Sequence, residues 1–359
     1  MYVNADIPVN CVFTARLRGR ITHESLTCAL DRIQQRHPLL QASIHEDRRR
    51  RPYFTANVTT PPIPIDCRDR LSDDHWLTVS EAEWKRPFDL KKGPLARIVW
   101  LRDTNVSELL IVSPHCVADG MTCITLLREL LEGLDKPAGC RPGYVSFTHL
   151  HDIIPASVLA GRRAPNLRKT LTTLVAQTFF NLKPAPRFIP TGKDYVLHWK
   201  LNAKATGLLE EHCRAQGVSV YAALCVAFLE SFIAIRNGRG RNKLLCPVDI
   251  RKMVPAIKDD MMFAFAPIIE LSIRSEQGRK HGDQQGGQHS DQHGDHQSGQ
   301  YSREQGRGQQ DAAGFWDKAR QIKKEITQKV TAIDPYEMLL SGENFQPCAR
   351  KLINLRIKH

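Results

Sequence analysis

Three residues in the stretch "IVSPHCVADGMTCITLLREL" (111–130) raise a chemical question: His115, Asp119 and Gly120. A histidine that follows an apolar strand can project into a cleft as a general base. Its ordinary pKa lies near neutral pH, so it can take a proton from an incoming nucleophile and later return it. An aspartate four residues on can turn inward and hold the shape of the loop, and a glycine next to it can take backbone angles closed to other residues. The bland alternative is a histidine that merely satisfies its own hydrogen bonds beside a strand. Cys116 sits inside the same motif, but extended backbone turns it away from His115 and no second base is evident. It is expected to be a buried thiol, not a nucleophile.

The elements around the motif read as a positioning frame. "PFDLKKGPLARIVWL" and "SELLIVS" form two strands joined by the polar turn "RDTNV", an antiparallel hairpin whose second strand delivers His115. Downstream, Ile124, Leu127, Leu131 and Leu134 mark one face of a helix that "GLDKPAG" ends. Near the N-terminus, Thr22 is an N-cap with Glu24 in the first turn, and Leu26, Leu30 and Ile33 recur at helical spacing until Pro38 stops the helix. Leu40, Ala42 and Ile44 then alternate with polar residues as in a half-buried strand.

Further along, "NLRKTLTTLVAQTFFNL" is expected to be helical and the Pro-rich "KPAPRFIP" to be a crossover linker. "DYVLHWKL" reads as a strand, and a helix follows around Leu208. "GVSVYAALCVAFLESFIAI" is a helix apolar on most faces and so expected to be buried, and "NKLLCPVDIR" and "FAFAPIIELSI" are strands. From Glu276 to Gly314 the composition turns to Gln, Gly, His, Asp and Arg, from which no core can be built, so disorder is expected. His289, His293 and His296 within it have spacings that bind a metal only in a helix, which the glycines disfavour; no metal site is expected. Phe315, Ala319, Ile322 and Ile326 then share one face of an amphipathic helix.

The chain has 359 residues, enough for two domains, with 42% hydrophobic and 25% charged residues. No apolar run approaches a membrane span, and charges interrupt the first thirty residues, so a soluble cytoplasmic chain is expected. Ten cysteines without a Cys-x-x-Cys pair read as small buried thiols of a reducing compartment. Trp84, Trp100, Trp199 and Trp316 read as core or interface aromatics. The net charge of +13 favours anionic partners in general, but the basic residues are dispersed apart from Arg48 to Arg51, and no nucleic acid is expected as a partner.

On these residues the chain resembles the CoA-dependent acyltransferase superfamily: peptide-synthetase condensation domains, alcohol acetyltransferases, polyketide-associated acyltransferases and the plant BAHD enzymes. Their shared signature is His-x-x-x-Asp-Gly. "LRGRITHESLTCALDRIQQRHPLLQASI" is similar to the family's opening strand, helix and "RHPLLR" strand, and "RPFDLKKGPLARIVWL" to its "PFDL..GPL.R" segment. "VSVYAALCVAF" and "LLCPVDIRKMV" are similar to the buried helix and "PVDLR" strand of the second half, and the resemblance runs from about Cys11 to Val330.

The resemblance implies an α/β fold of mixed sheets in two chloramphenicol-acetyltransferase-like lobes, with the active site in a tunnel between them. It implies transfer of an acyl group from an acyl-CoA or acyl-carrier-protein thioester to an alcohol or amine, with no covalent acyl-enzyme. In this family's terms His115 is the catalytic base, Asp119 a structural aspartate paired with Arg251 across the two halves, and Gly120 the residue that turns the loop. Ser113, Cys116 and nearby backbone N–H groups are the candidate oxyanion donors. No tightly bound cofactor is implied; the acyl-CoA or phosphopantetheinyl thioester is a co-substrate, and a monomer without a transmembrane segment is expected.

The boundaries follow: 1–183 an N-terminal lobe with the motif, 184–275 the first part of the C-terminal lobe, 276–314 the insert, and 315–359 a helix and the end of a lobe expected to be truncated. Pro114 stands where condensation domains carry a first histidine, which points to the alcohol-acylating side of the superfamily. The competing expectation is a degenerate lobe pair that binds a carrier protein or ligand without turnover.

Overall fold

The computed structural model describes residues 9–48, 51–56, 60–136, 142–160, 196–236, 242–273 and 298–340, with side chains from 314 onward in the last stretch. The chain divides into two compact units. One holds Met1–Leu197, Asp249–Phe265 and Pro335–His359; the other holds His198–Val248 and Ala266–Asp334. The Arg251 segment, which the sequence assigns to the second lobe, therefore belongs to the first unit.

In the first unit β1 (Asn10–Arg18), β6 (Val106–Pro114), β5 (Arg97–Arg102) and β4 (Ile65–Asp69) form one sheet in the order β1-β6-β5-β4. The first two pairings are antiparallel, and β4 lies parallel to β5. Both faces of this sheet are covered. Ile98, Trp100, Leu109 and Ile111 face α1 (His23–Arg36) and α3 (Gly120–Asp135), while Val99, Leu101 and Leu110 pack with Val79 of α2 (His75–Lys85). A strand buried on both sides needs apolar residues at successive positions, which explains the unbroken runs "IVWL" and "LLIV". A hairpin of β2 (Ala42–Glu46) and β3 (Pro52–Ala56) follows a short 3-10 turn at Pro38–Gln41.

Local chemistry sets the ends of these elements. Thr22 caps α1 as expected, accepting from the Ser25 N–H, while the Ser25 hydroxyl accepts from the Thr22 N–H, and Glu24 lies in the first turn. The segment from Pro87 to Ala96, expected as strand, is irregular until β5 begins at Arg97. Pro87, Gly93 and Pro94 interrupt the ladder there, and Gly93 has φ 67° with the backbone oxygen of Ala42 3.0 Å from where a Cβ would sit. The sequence reading also places the inward face of α3 one residue out of phase. Cys123, Leu126 and Leu130 are buried, whereas Ile124 is exposed. The error arises because Thr122, Thr125 and Glu129 are buried as well, so this face is not purely apolar. After α3 the described residues of the first unit include the short helix α4 (Ala156–Ala160) and a helical stretch at 335–340.

The second unit contains α5 (Ala203–Ala215), α6 (Val220–Ile235), the pair β7 (Leu244–Pro247) and β8 (Ile268–Leu271), and α7 (Ser298–Thr331). Its core joins Cys213, Ala222, Val226 and Leu229 to Leu271, Ala319 and Ile322, with Phe315 and Ile326 partly buried beside them. Helix α6 is not buried all round: Tyr221, Leu224, Phe228, Phe232 and Ile235 are exposed, because α5, α7 and the small sheet cover one face only. Residues 196–201, the described part of the expected strand "DYVLHWKL" (194–201), form none, and Trp199 is exposed. Helix α7 starts inside the segment expected to be disordered; its Gln, Arg, Glu and Ala residues are helix-compatible and extend the amphipathic turn at Phe315 backwards. The expected helix at 166–182, the linker at 183–190 and the three insert histidines lie outside the described residues.

Candidate active site

Strand β6 carries the chain to Pro114, and β1 continues the ladder beside it, so His115 is held at its root: its N–H donates to the backbone oxygen of Val9 at 2.7 Å. A tight turn follows, with the N–H groups of Val117 and Ala118 donating to the Pro114 oxygen at 3.0 and 3.3 Å. The turn brings the Ala118 carbonyl back to the imidazole, 2.8 Å from His115 Nδ1. A carbonyl can only accept, so Nδ1 carries the proton and Nε2 of the neutral ring holds the free lone pair. The ring is half-buried, and its pKa is raised from 6.5 to about 8, chiefly by a hydrogen bond to Cys11, with burial working in the opposite direction.

Asp119 is the N-cap of α3 and accepts from the Thr122 N–H at 2.8 Å. Its two carboxylate oxygens also accept from Arg251, Nη1 to Oδ2 and Nη2 to Oδ1, both at 2.8 Å. Burial raises the Asp119 carboxyl, but the Arg251 and Thr122 bonds outweigh it and hold the pKa below the usual carboxylate range. The guanidinium is itself buried and makes further bonds to Asp249 Oδ1 (3.1 Å), Thr122 Oγ1 (3.0 Å) and the Phe263 oxygen (2.7 Å). Thr122 Oγ1 in turn donates to the Phe263 oxygen at 3.0 Å. A loop, a helix start and the 249–263 segment are thus locked around one ion pair whose partners are 132 residues apart in sequence.

Gly120 opens α3 with ordinary backbone angles, so its freedom to adopt unusual ones is not used. Its constraint is space: an added Cβ would sit 3.3 Å from Phe13 Cζ of β1. Among the candidate oxyanion donors Ser113 is excluded, since its only hydroxyl proton is given to the Leu95 oxygen at 2.6 Å in the core. Burial pushes the Cys116 thiol up to about 11, which suits its role as an inert packed group. Sequence reasoning missed Cys11, which approaches the motif from β1. Nothing in its spacing marks it, because strand pairing alone brings it opposite Ser113.

Among the described residues no group of histidine, cysteine and carboxylate side chains is arranged to hold a metal ion, and no single helix is long and apolar enough to cross a membrane.

Comparison with known proteins matches this geometry to a family. Residues 8–136, which carry the sheet, α1 and the motif, match the family model of the condensation domain. Over these residues the chain is similar to condensation domains. It is 31% identical over 242 residues to chondramide synthase cmdD from Chondromyces crocatus, covering 62% of this chain and 6% of that protein. Phosphinothricin tripeptide synthetase PhsC from Streptomyces viridochromogenes is 22% identical over 291 residues, 76% of this chain and 26% of that protein.

Among solved structures, the first condensation domain of the calcium-dependent antibiotic synthetase, in complex with a substrate analogue, aligns with a TM-score of 0.54 at 16% identity, over 76% of this chain and 65% of that one. The EpoB NRPS cyclization-docking bidomain from Sorangium cellulosum aligns with a TM-score of 0.53 at 13% identity, over 96% of this chain and 62% of that one. The fold is therefore the mixed α/β, chloramphenicol-acetyltransferase-like fold of condensation domains. The chain spans about a quarter or less of these curated relatives and under two thirds of the chains of these solved structures.

Proposed function

We propose that this chain is an acyl or peptidyl transferase in which His115 is the general base. The observation that carries the reading is the fixed tautomer: Nδ1–H is tied to the Ala118 oxygen and leaves Nε2 as the acceptor. The donor is a phosphopantetheinyl thioester, on CoA or on a carrier protein, and the acceptor an alcohol or amine. Nε2 takes the proton of the acceptor as its oxygen or nitrogen attacks the thioester carbonyl. The tetrahedral oxyanion collapses, the C–S bond breaks, and the imidazolium returns the proton to the leaving thiolate. No acyl-enzyme is formed. Asp119 and Arg251 do not touch the reacting atoms; they position His115 by holding the turn that presents the Ala118 carbonyl. Pro114, in place of a second histidine, favours an alcohol acceptor.

The test is free-thiol release from a panel of acyl-CoA and acyl-pantetheine donors with alcohol and amine acceptors. His115→Ala is expected to lower kcat/KM by roughly 10²–10⁴-fold, the usual contribution of a positioned base, with the fold intact by circular dichroism. Turnover unchanged in the variant would remove His115 from the mechanism.

A further inference from the structure

Among the described residues the second unit has three helices, and their outward faces differ. Helix α5 exposes Lys204, Glu210 and Arg214, and α7 exposes Arg320, Lys323 and Lys324, as solvated helices do. Helix α6 exposes Tyr221, Leu224, Phe228, Phe232 and Ile235, each 44–78% accessible. Ser231 and Ala234 are the only other exposed residues between the ends of this stripe. Glu230, the one charged residue in the span, is paired with Lys318 of α7 at 2.8 Å. Residues three and four apart on a helix are neighbours, so the five side chains form one continuous band about 21 Å long. Single exposed apolar residues are ordinary, but a continuous band without charge marks a surface that meets another surface.

The spacing points to what that other surface is. From Tyr221 to Ile235 the steps are three, four, four and three residues, symmetric about Phe228. Turned end for end, the band falls on itself: Tyr221 takes the place of Ile235, and Leu224 that of Phe232. We propose that α6 pairs antiparallel with α6 of a second copy of this chain, with Phe228 on the two-fold axis. A two-fold interface must be its own complement, a condition that this order of side chains meets and that an unrelated partner would not impose. Steps of three and four residues are those by which packed helices interdigitate. Opposed helices also set each positive N-terminal end beside the negative C-terminal end of the other. Phe228 then meets Phe228 of the partner subunit, Leu224 meets Phe232 of the partner subunit, and Tyr221 meets Ile235 of the partner subunit.

The area is sufficient for a weak dimer. Taking ~150–250 Å² for a large apolar side chain, the band leaves roughly 400–700 Å² uncovered per copy, so the pair buries about 800–1,400 Å² in all. That range reaches the smaller specific interfaces, so a dimer with a Kd on the order of micromolar is expected in place of the monomer expected from sequence. The pairing is independent of the acyl-transfer reading, because α6 carries none of the residues assigned to it.

Sedimentation velocity of the full chain, from about 1 to about 100 µM, should show a mass rising from 40.7 kDa toward twice that value. Phe228→Lys sets two like charges at the axis and should weaken the dimer by roughly tenfold or more, with the circular dichroism spectrum unchanged because the side chain is at the surface. Cross-linking tests the direction, with exposed Cys28 and Cys67 replaced by serine throughout. Under mild oxidation Phe228→Cys should form a disulfide-linked dimer. Tyr221→Cys should not, since its two copies lie ~21 Å apart along the pair, beyond the reach of a disulfide, whereas Tyr221→Cys mixed with Ile235→Cys should link. A monomer up to about 100 µM would overturn the proposal and assign the face to a different chain. A dimer that survives Phe228→Lys would overturn it too, as would Tyr221→Cys linking to itself as readily as Phe228→Cys.

Discussion

Helix α3 carries a buried ionic centre near each end, and the two are built differently. At its start, both oxygens of Asp119 are paired to Arg251, one also caps the helix, and the guanidinium also bonds Asp249, Thr122 and the Phe263 carbonyl, leaving one buried atom, Nε, without a hydrogen-bond partner among the described residues. Further along, Glu129 meets His37 at 2.8 Å and Arg36 Nε at 3.3 Å, while Arg36 Nη2 reaches Asp260 and Tyr144 at 2.7 Å each. There Arg36 Nε and Nη1, His37 Nδ1 and Glu129 Oε1 are buried without a hydrogen-bond partner among the described residues. A buried charge is retained at modest cost when its bonds are complete, and at a larger one when they are not. With one such atom against four, the first centre is the more fully bonded of the two.

Breaking each centre should expose that difference. Arg251→Met leaves the half-buried Asp119 carboxylate without its ionic partner at a helix cap, and should cost about 3–5 kcal/mol in urea unfolding. Arg36→Met keeps the His37 bond to Glu129 and removes several unsatisfied donors with the charge, so a smaller loss of about 1.5–3 kcal/mol is expected. Equal losses would mean that hydrogen-bond completeness does not separate the two centres. A finer probe is Gly120→Ala. Its Cβ would press on Phe13 Cζ at 3.3 Å, which should cost about 1 kcal/mol and be relieved by Phe13→Leu. An unchanged stability would show that Phe13 yields freely and that Gly120 is not needed for space.

The chain was legible where a single periodicity ruled. The capped helix α1 and the β5–β6 hairpin follow from apolar spacing and turn residues, and Ala319 and Ile322 from the last helix's pattern. Reading failed where polar residues go inside. Glu129, Thr122 and Thr125 hid the phase of α3, and the parallel strand β4 and helix α2, with Glu83 buried against Arg97, were not read at all. The site divides in the same way. His115 and Asp119 announce themselves by spacing, but Arg251 is far off in sequence and entered only through family resemblance. Cys11 left no trace, since neither its neighbours nor its period differ from those of an ordinary strand residue.

The central claim is that His115 accepts a proton through Nε2, and its pH dependence tests this most directly. The imidazolium is favoured up to about pH 8, so the reactive neutral ring accumulates as pH rises through that value. Thiol release under kcat/KM conditions should rise along a single limb with a midpoint near 8, coinciding with the pKa of His115 titrated by NMR. A rate flat between pH 6 and 9, or a limb whose midpoint differs from the NMR titration by more than about a unit, would contradict the account.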